Sequence, residues 1–272
     1  HEGMAPARGI FRKDKIKPLP GDLVRYGETG EQDVPYVVNE ILPRRNALQR
    51  PPLANLGGLV LVFALKDPDP DLLLLDKLIS LGVSIEVPVF LVFSKEDLFD
   101  RDPTDLVNIY EGVVAQLYVS DGSNEAVLDA LRAFAQNKLV TVAGPSGAGK
   151  STLVNRLFGV DHMEVGEVSA RTGRGRQTTR HTELFWHGNG YFADSPGFSS
   201  LDVEQMGIEA TDLMSAYHDL GADSGQCRFN SCRHLQEPGC IVKERLEAGE
   251  ADIGRYERYV RLREELDQLT DW

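Results

Sequence analysis

Among its 272 residues the chain has three cysteines, two tryptophans, four methionines and no long apolar run. A helix crossing a membrane needs ~20 consecutive apolar residues, and no stretch approaches that length. Nothing resembles a secretory leader. Three thiols cannot all pair with one another, so a disulfide framework is excluded and a reducing, cytoplasmic setting is expected. Basic charge is also scarce: 29 Lys and Arg stand against 42 Asp and Glu, a formal net charge of −13. That balance excludes indiscriminate binding to nucleic acid, which relies on cations displacing counterions from phosphates. It leaves room for local basic faces at Arg8–Lys17, at Arg44, Arg45 and Arg50, and at Arg171, Arg174, Arg176 and Arg180. There is no internal repeat and no low-complexity segment.

What is present centres on Leu139–Thr152, LVTVAGPSGAGKST. Apolar and β-branched residues run into Gly144-x-x-x-x-Gly149-Lys150-Ser151, and a helical pattern follows. Strand, glycine loop and helix in that order form a phosphate cradle. The glycines let the amides of Ser146, Gly147, Ala148, Gly149 and Thr152 turn toward phosphates, and the new helix offers its positive end. Lys150 is expected on the terminal phosphates and the Ser151 hydroxyl on Mg²⁺. A second half-site is Asp194-Ser-Pro-Gly197 after the strand pattern GYFA: Asp194 holds Mg²⁺ through water, and the Gly197 amide meets the γ-phosphate. Between them lies the Arg/Gly/Thr-rich stretch 174–180, in which Thr179 is the candidate to close over Mg²⁺ and γ-phosphate.

Base choice is expected from Ser94-Lys95-Glu96-Asp97, at the end of the strand pattern VPVFLVF. A carboxylate there accepts from guanine N1–H and N2–H₂. Adenine offers neither, and the Lys95 stem covers the base. Ser120 in YVSDGS is a weaker candidate for the base edge. This tetrapeptide precedes the glycine loop, whereas a conventional GTPase meets the two in the opposite order. A doubly wound sheet tolerates such rejoining when its ends lie close together. Cys227-x₄-Cys232-x-His234-x₅-Cys240 uses every cysteine and adds one imidazole, which is the donor set of a closed structural zinc site.

The coarse pattern is α/β. Short strands with turns occupy Gly9 to about Arg50, and Arg50-Pro51-Pro52 reads as a linker. From Leu56 buried-strand patterns alternate with helical ones, predicting a mainly parallel sheet covered on both faces. After about Ser200 the strands stop. A long helix from roughly Asp252 to Trp272 carries Tyr256, Tyr259, Leu262, Leu266 and Leu269 at helical spacing, predicted to pack on the body.

Taken together, the permuted order, the zinc knot and the stretches GIFRKDKIKPLPGDLVRY, ILPRRNALQRPPLANL, GPSGAGKSTLVNRLFG, RGRQTTRHTEL, DSPGFSSL and CRFNSCRHLQEPGCIVKERLEAG resemble the circularly permuted, small-subunit-dependent ribosomal GTPases (RsgA, also called YjeQ or EngC). The resemblance spans nearly the whole chain. It implies an OB-like β-barrel over residues 1–52, short of its first strand or two, a permuted P-loop GTPase domain over 53–203 and a zinc-binding helical domain over 204–272. It also implies GTP hydrolysis stimulated by the small ribosomal subunit late in its assembly, contact with ribosomal RNA, and GTP or GDP with Mg²⁺ as ligand. A cytoplasmic monomer is expected. Three departures stand out: Ser94 replaces the usual Asn of the guanine motif, Gln177 replaces the family's His before the paired threonines, and the barrel is short. Phe198 follows Gly197 where many GTPases place a water-orienting Gln. Gln177 is therefore the candidate to orient the attacking water. A nucleotide-sensing RNA-binding factor with little hydrolysis is the alternative.

Overall fold

The computed structural model describes residues 6, 17–30, 34–159, 182–194, 207–221 and 226–270. Near the start, β1 (Val24–Glu28) and β2 (Tyr36–Ile41) pair antiparallel, with a bulge at Arg25/Tyr26. Next, β3 (Ala47–Gln49) and β4 (Pro52–Ala54) form a tight hairpin. Arg50-Pro51-Pro52 is thus the tip of a hairpin and not the linker its composition suggests. Its strands are tied to the body by apolar burial, with Leu53 and Ala54 fully enclosed. The side-chain amide of Asn46 bridges Leu56 in both directions, donating to its carbonyl at 3.0 Å and accepting from its amide at 2.9 Å.

The body is a six-stranded sheet in the order β7-β6-β5-β8-β10-β9. Its strands are β5 (Gly58–Ala64), β6 (Val89–Ser94), β7 (Gln116–Ser120), β8 (Leu139–Ala143), β9 (Glu183–His187) and β10 (Gly190–Asp194). The first five in that spatial order run parallel, and β9 joins as an antiparallel edge. The segment TELFWH, absent from the sequence-based strand pattern above, has strand-forming Thr, Phe and Trp and a Gly188-Asn189 turn after it. It pairs in hairpin register with β10, Trp186 opposite Tyr191, because its partner supplies the hydrogen bonds. Strand β5 is buried at all seven positions, as its unbroken apolar sequence predicts.

Alternation along β5 divides the interior. Leu59, Leu61 and Phe63 face one core with α1 (Leu72–Ser84), α2 (Thr104–Tyr110) and the C-terminal segment. Val60, Val62 and Ala64 face the other with α3 (Glu125–Ala135) and α4 (Lys150–Phe158). Each fully enclosed aliphatic or aromatic side chain contributes about 1.5–3 kcal/mol. Side chains cap the helices where the sequence offers them: Asp71 accepts from the Leu74 amide at 3.0 Å, and Asn124 from Ala126 at 3.0 Å.

The C-terminal segment comprises a 3₁₀ stretch (Leu213–Leu220), α5 (Ile241–Glu247) and α6 (Ile253–Thr270). The predicted stripe on α6 is buried at Tyr259, Leu262 and Leu266 and half-buried at Tyr256, but Leu269 is exposed. Among the described residues α6 packs on the body through the turns as far as Leu266, and Leu269 lies one turn beyond them. Those turns hold an arrangement that apolar periodicity conceals. Asp76 of α1 is wholly buried and accepts from Arg255 (2.6 Å), Arg258 (2.7 Å), Tyr110 (2.8 Å) and Tyr217 (3.2 Å). Arg255, also fully enclosed, donates in addition to Asp219 at 3.0 and 3.2 Å and to the Ala216 carbonyl at 2.8 Å, with its guanidinium 4.2 Å from the Tyr217 ring centroid. Burial, reinforced by the Asp76 charge, raises the Tyr217 and Tyr110 hydroxyls, so both stay protonated as donors.

Enclosed charges of this kind contribute through satisfaction, and removing one partner strands the others. Asp76→Ala is therefore expected to cost about 3–5 kcal/mol. Scanning calorimetry should record this as a fall in the thermal midpoint on the order of 10 °C for a chain of this size.

Candidate nucleotide and metal sites

Parallel strands end on one edge of the sheet, and that edge is where open α/β sheets bind ligands. Strand β8 ends at Ala143 and the chain turns at once through Gly144 (φ +139°). A Cβ on Gly144 would stand 2.1 Å from the Val62 carbonyl oxygen, so the loop can hug β5 only with glycine there. Gly147 (φ +77°) and Gly149 (φ +88°) are also left-handed, and α4 opens directly at Lys150. Ser146 is exposed and Ala148 buried; Ser151 and Thr152 are half-buried in the first helical turn. The Lys150 ammonium curls back over this loop, donating to the carbonyls of Gly144 (2.9 Å) and Pro145 (2.7 Å). Burial lowers its pKa, a penalty that an incoming phosphate would reverse.

The earlier motif reaches the same place from two strands away. Ser94 ends β6 and is buried; its hydroxyl donates to the Ala148 carbonyl at 2.6 Å. Its hydroxyl thereby fastens the Ser94–Asp97 loop to the glycine loop. Lys95 follows with φ +59° and donates through Nζ to the Asp67 carbonyl. Asp97 is exposed on the 3₁₀ turn Glu96–Leu98. Ser120 sits opposite Ser94 in the β6–β7 register, but its buried hydroxyl accepts from the Gly122 amide at 2.9 Å and so shapes its own loop. Asp194 ends β10, one residue beyond the Ala193–Thr141 pair, which sets its backbone at the same sheet edge beside the glycine loop. Gln177, Thr179 and Gly197 lie outside the described residues. Motif reading missed the Leu65–Asp71 connection, which reaches Lys95 through a backbone carbonyl that carries no side-chain signature.

The cysteine cluster is also assembled. One ligand atom from each of Cys227, Cys232, His234 and Cys240 lies within 4.8 Å of the others. The His234 Nδ1 atom is 3.6 Å from Cys227 Sγ and 3.4 Å from Cys240 Sγ. Zn–S and Zn–N bonds of ~2.3 and ~2.0 Å at tetrahedral angles require S···N separations of about 3.5 Å, so the donors fit. Burial lowers the His234 pKa and favours the neutral imidazole that a metal needs. Burial also pushes the Cys232 thiol up to about 12. The loop is gripped on both sides. Glu237 accepts from the amides of Arg233 (2.9 Å), Leu235 (2.9 Å) and Gln236 (3.0 Å). Against desolvation, such amides hold its carboxyl down at about 2. From α6, Tyr256 donates to the His234 carbonyl at 2.8 Å and Tyr259 to that of Arg233 at 2.9 Å.

Metal analysis should find one zinc per chain. Cys240→Ser should lower that content and loosen α5, which begins at the next residue. Glu237→Gln should keep the metal but destabilise the knot by about 1.5–3 kcal/mol, the scale of a charged hydrogen bond, seen as a lower unfolding midpoint above pH 4.5. The sign follows from the depressed carboxyl: its contribution is present above the unfolded value and disappears as pH falls toward 2.

Comparison with known proteins agrees with this geometry. The RsgA GTPase family matches residues 41–204. The small ribosomal subunit biogenesis GTPase RsgA of Carboxydothermus hydrogenoformans is 39% identical over 267 residues, covering 97% of this chain and 90% of the relative. The protein of the same name from Alkaliphilus metalliredigens is 38% identical over 257 residues, covering 94% and 87%. Among solved structures, YjeQ from Thermotoga maritima superposes with a TM-score of 0.76 at 32% identity, covering 96% of this chain and 88% of that one. YloQ, described as a circularly permuted GTPase, gives 0.77 at 31%, covering 96% and 85%. With the Ser94–Asp97 loop ahead of the glycine loop in sequence yet bonded to it in space, the chain belongs to the RsgA GTPase family.

Proposed function

We propose that this chain hydrolyses GTP to GDP and phosphate, and that it acts in maturation of the small ribosomal subunit, which stimulates the reaction. The observation that carries the reading is the Ser94–Ala148 hydrogen bond. It holds the Ser94–Asp97 loop against the Gly144–Ser151 loop, which supports a single nucleotide shared between them although the chain visits them in reverse order.

In this reading Asp97 accepts from the guanine edge and the Lys95 stem covers the base. Loop amides from Ser146 to Thr152 and the start of α4 receive the β-phosphate. Lys150 leaves the Gly144 and Pro145 carbonyls to neutralise charge on the transferring phosphoryl group. Ser151, Thr179 and Asp194 would hold Mg²⁺, which when bound shields the phosphate oxygens. Gln177 both donates and accepts, so it can align the attacking water. Phe198 cannot, and hydrolysis without the subunit is accordingly slow. The knot Cys227/Cys232/His234/Cys240 would hold zinc as a closed structural site, with no position left for substrate.

The division into an OB-like N-terminal part (1–52), a permuted GTPase domain (53–203) and a zinc-binding domain (204–272) belongs to the same proposal. So do contact of the basic clusters with ribosomal RNA, a monomeric state and a cytoplasmic setting. The Tyr26–Tyr36 edge-to-face pair and the exposed Arg25 on β1 and β2 suit contact with a ribonucleoprotein surface. No helix among the described residues is long and apolar enough to cross a membrane.

Phosphate release from GTP at low salt should rise on adding purified small subunits; an unchanged rate would remove the proposed partner. Lys150→Ala should lower turnover about 100-fold, the scale of losing one charge-stabilising group. Asp97→Asn should weaken GDP about tenfold to a hundredfold and favour xanthosine diphosphate, because the amide N–H₂ can donate to the xanthine C2 carbonyl. Gln177→Ala should abolish the subunit-dependent increment while sparing GDP affinity.

A further inference from the structure

The connection Leu65–Asp71 belongs to none of the recognised motifs, yet it is bonded to the Ser94–Asp97 loop and passes beside the glycine loop. The Leu65 amide donates to the Ser94 carbonyl at 2.9 Å. Lys66 pairs with Asp100 at 3.3 Å, and the Asp67 carbonyl receives the Lys95 ammonium. Pro68 Cδ lies 3.5 Å from where a Cβ on Gly147 would be. Asp71 then caps α1, and Asp76 follows five residues on, about 7.5 Å along the helix axis. At Asp76 the helix is seized by Arg255 and Arg258 of α6, and one residue later Lys77 pairs with Glu265 of α6 at 3.0 Å. Helix α1 is thus pinned at one end to the base loop and along its flank to the C-terminal helix.

We infer that Asp76, Arg255 and Arg258 are positioning residues for guanine binding, acting through α1 and the 65–71 connection on Lys95. The ammonium of Lys95 must be held for its stem to lie flat over a base, and the group holding it is a backbone carbonyl. That carbonyl's place is set by where α1 begins. The start of α1 is set by the enclosed bonds at Asp76, since a helix moves as a rigid rod while its connection can bend. The apolar contacts of α1 with the sheet fix its depth; the directional bonds to two guanidinium groups and two hydroxyls fix its sliding and rotation. The inference rests on the nucleotide reading above, with Lys95 over the base.

The test is a double-mutant cycle on affinity for a fluorescent GDP analogue, using the full chain with its metal content checked. The four proteins are wild type, Lys95→Ala, Arg258→Met and the double variant. Arg258→Met should weaken GDP three- to tenfold, and Arg258→Lys should restore most of it. In the Lys95→Ala background the same change should cost less than twofold. Independent sites well separated in space would multiply their effects instead. Competition by inorganic triphosphate, which needs the phosphate loop but no base, should be unaltered by Arg258→Met. Tyr217→Phe gives a milder version with the ring retained: about a twofold loss, again absent without Lys95. Multiplying effects, an unchanged GDP affinity in Arg258→Met, or an equal loss toward triphosphate would each overturn the inference. A wild-type chain that holds its metal but binds no guanine nucleotide would instead overturn the nucleotide reading itself.

Discussion

Strand β5 has no polar face to present: its seven residues are all buried, β6 and β8 are hydrogen-bonded on either side, and a separate apolar layer covers each face. Because both neighbours are parallel to it, their C-terminal ends emerge on one edge, two strand spacings or roughly 9–10 Å apart. The Ser94–Asp97 loop leaves from one and the glycine loop from the other. Gly144 passes over the end of β5 so closely that no side chain fits, and Ser94 closes the gap with one hydrogen bond. A sheet held this way depends on which strands are neighbours, not on the order in which the chain visits them. That is why a permuted connection can leave the site intact.

Permutation changes what the site is attached to. The segment after Asp194 leads toward the C-terminal part of the chain, and that part returns to grip α1, whose first residues follow the loop beside Lys95. Charged side chains enclosed in the Asp76 cluster confer less free energy than an apolar contact of equal volume would, because their desolvation offsets much of their attraction. What they add is direction. An apolar interface tolerates sliding, whereas a carboxylate shared by two guanidinium groups and two hydroxyls accepts few arrangements. The Cys227/Cys232/His234/Cys240 knot has the same logic on a smaller scale. Its carbonyls are held by tyrosines of α6 and its amides by Glu237, so the positions of the ligands are set by hydrogen bonds in addition to any metal.

Composition and pattern read most directly where local chemistry is self-contained. The unbroken apolar runs of β5 and β6, the spacing of the glycine loop and the Cys/His spacing of the knot each specify their own local structure. Strand β9 was passed over, although Phe185, Trp186 and the Gly188-Asn189 turn ahead of GYFA carry a hairpin signal. The Arg50-Pro51-Pro52 turn was misread, because proline marks a break without saying whether the chain beyond it returns to the same core. Leu269 matched a helical stripe but is exposed among the described residues.

By itself, then, the sequence determined the local parts: a glycine loop between strand and helix, the Ser94–Asp97 turn, a thiol and imidazole cluster, and a parallel sheet to carry them. Each of these depends on residues close together in the chain. Only the tertiary structure decided that Ser94 serves the phosphate loop, that a backbone carbonyl at Asp67 holds Lys95, and that Asp76 meets Arg255 across 179 positions of sequence. Those contacts join segments whose spacing along the chain carries no signal, and they become visible when burial removes water as the alternative partner.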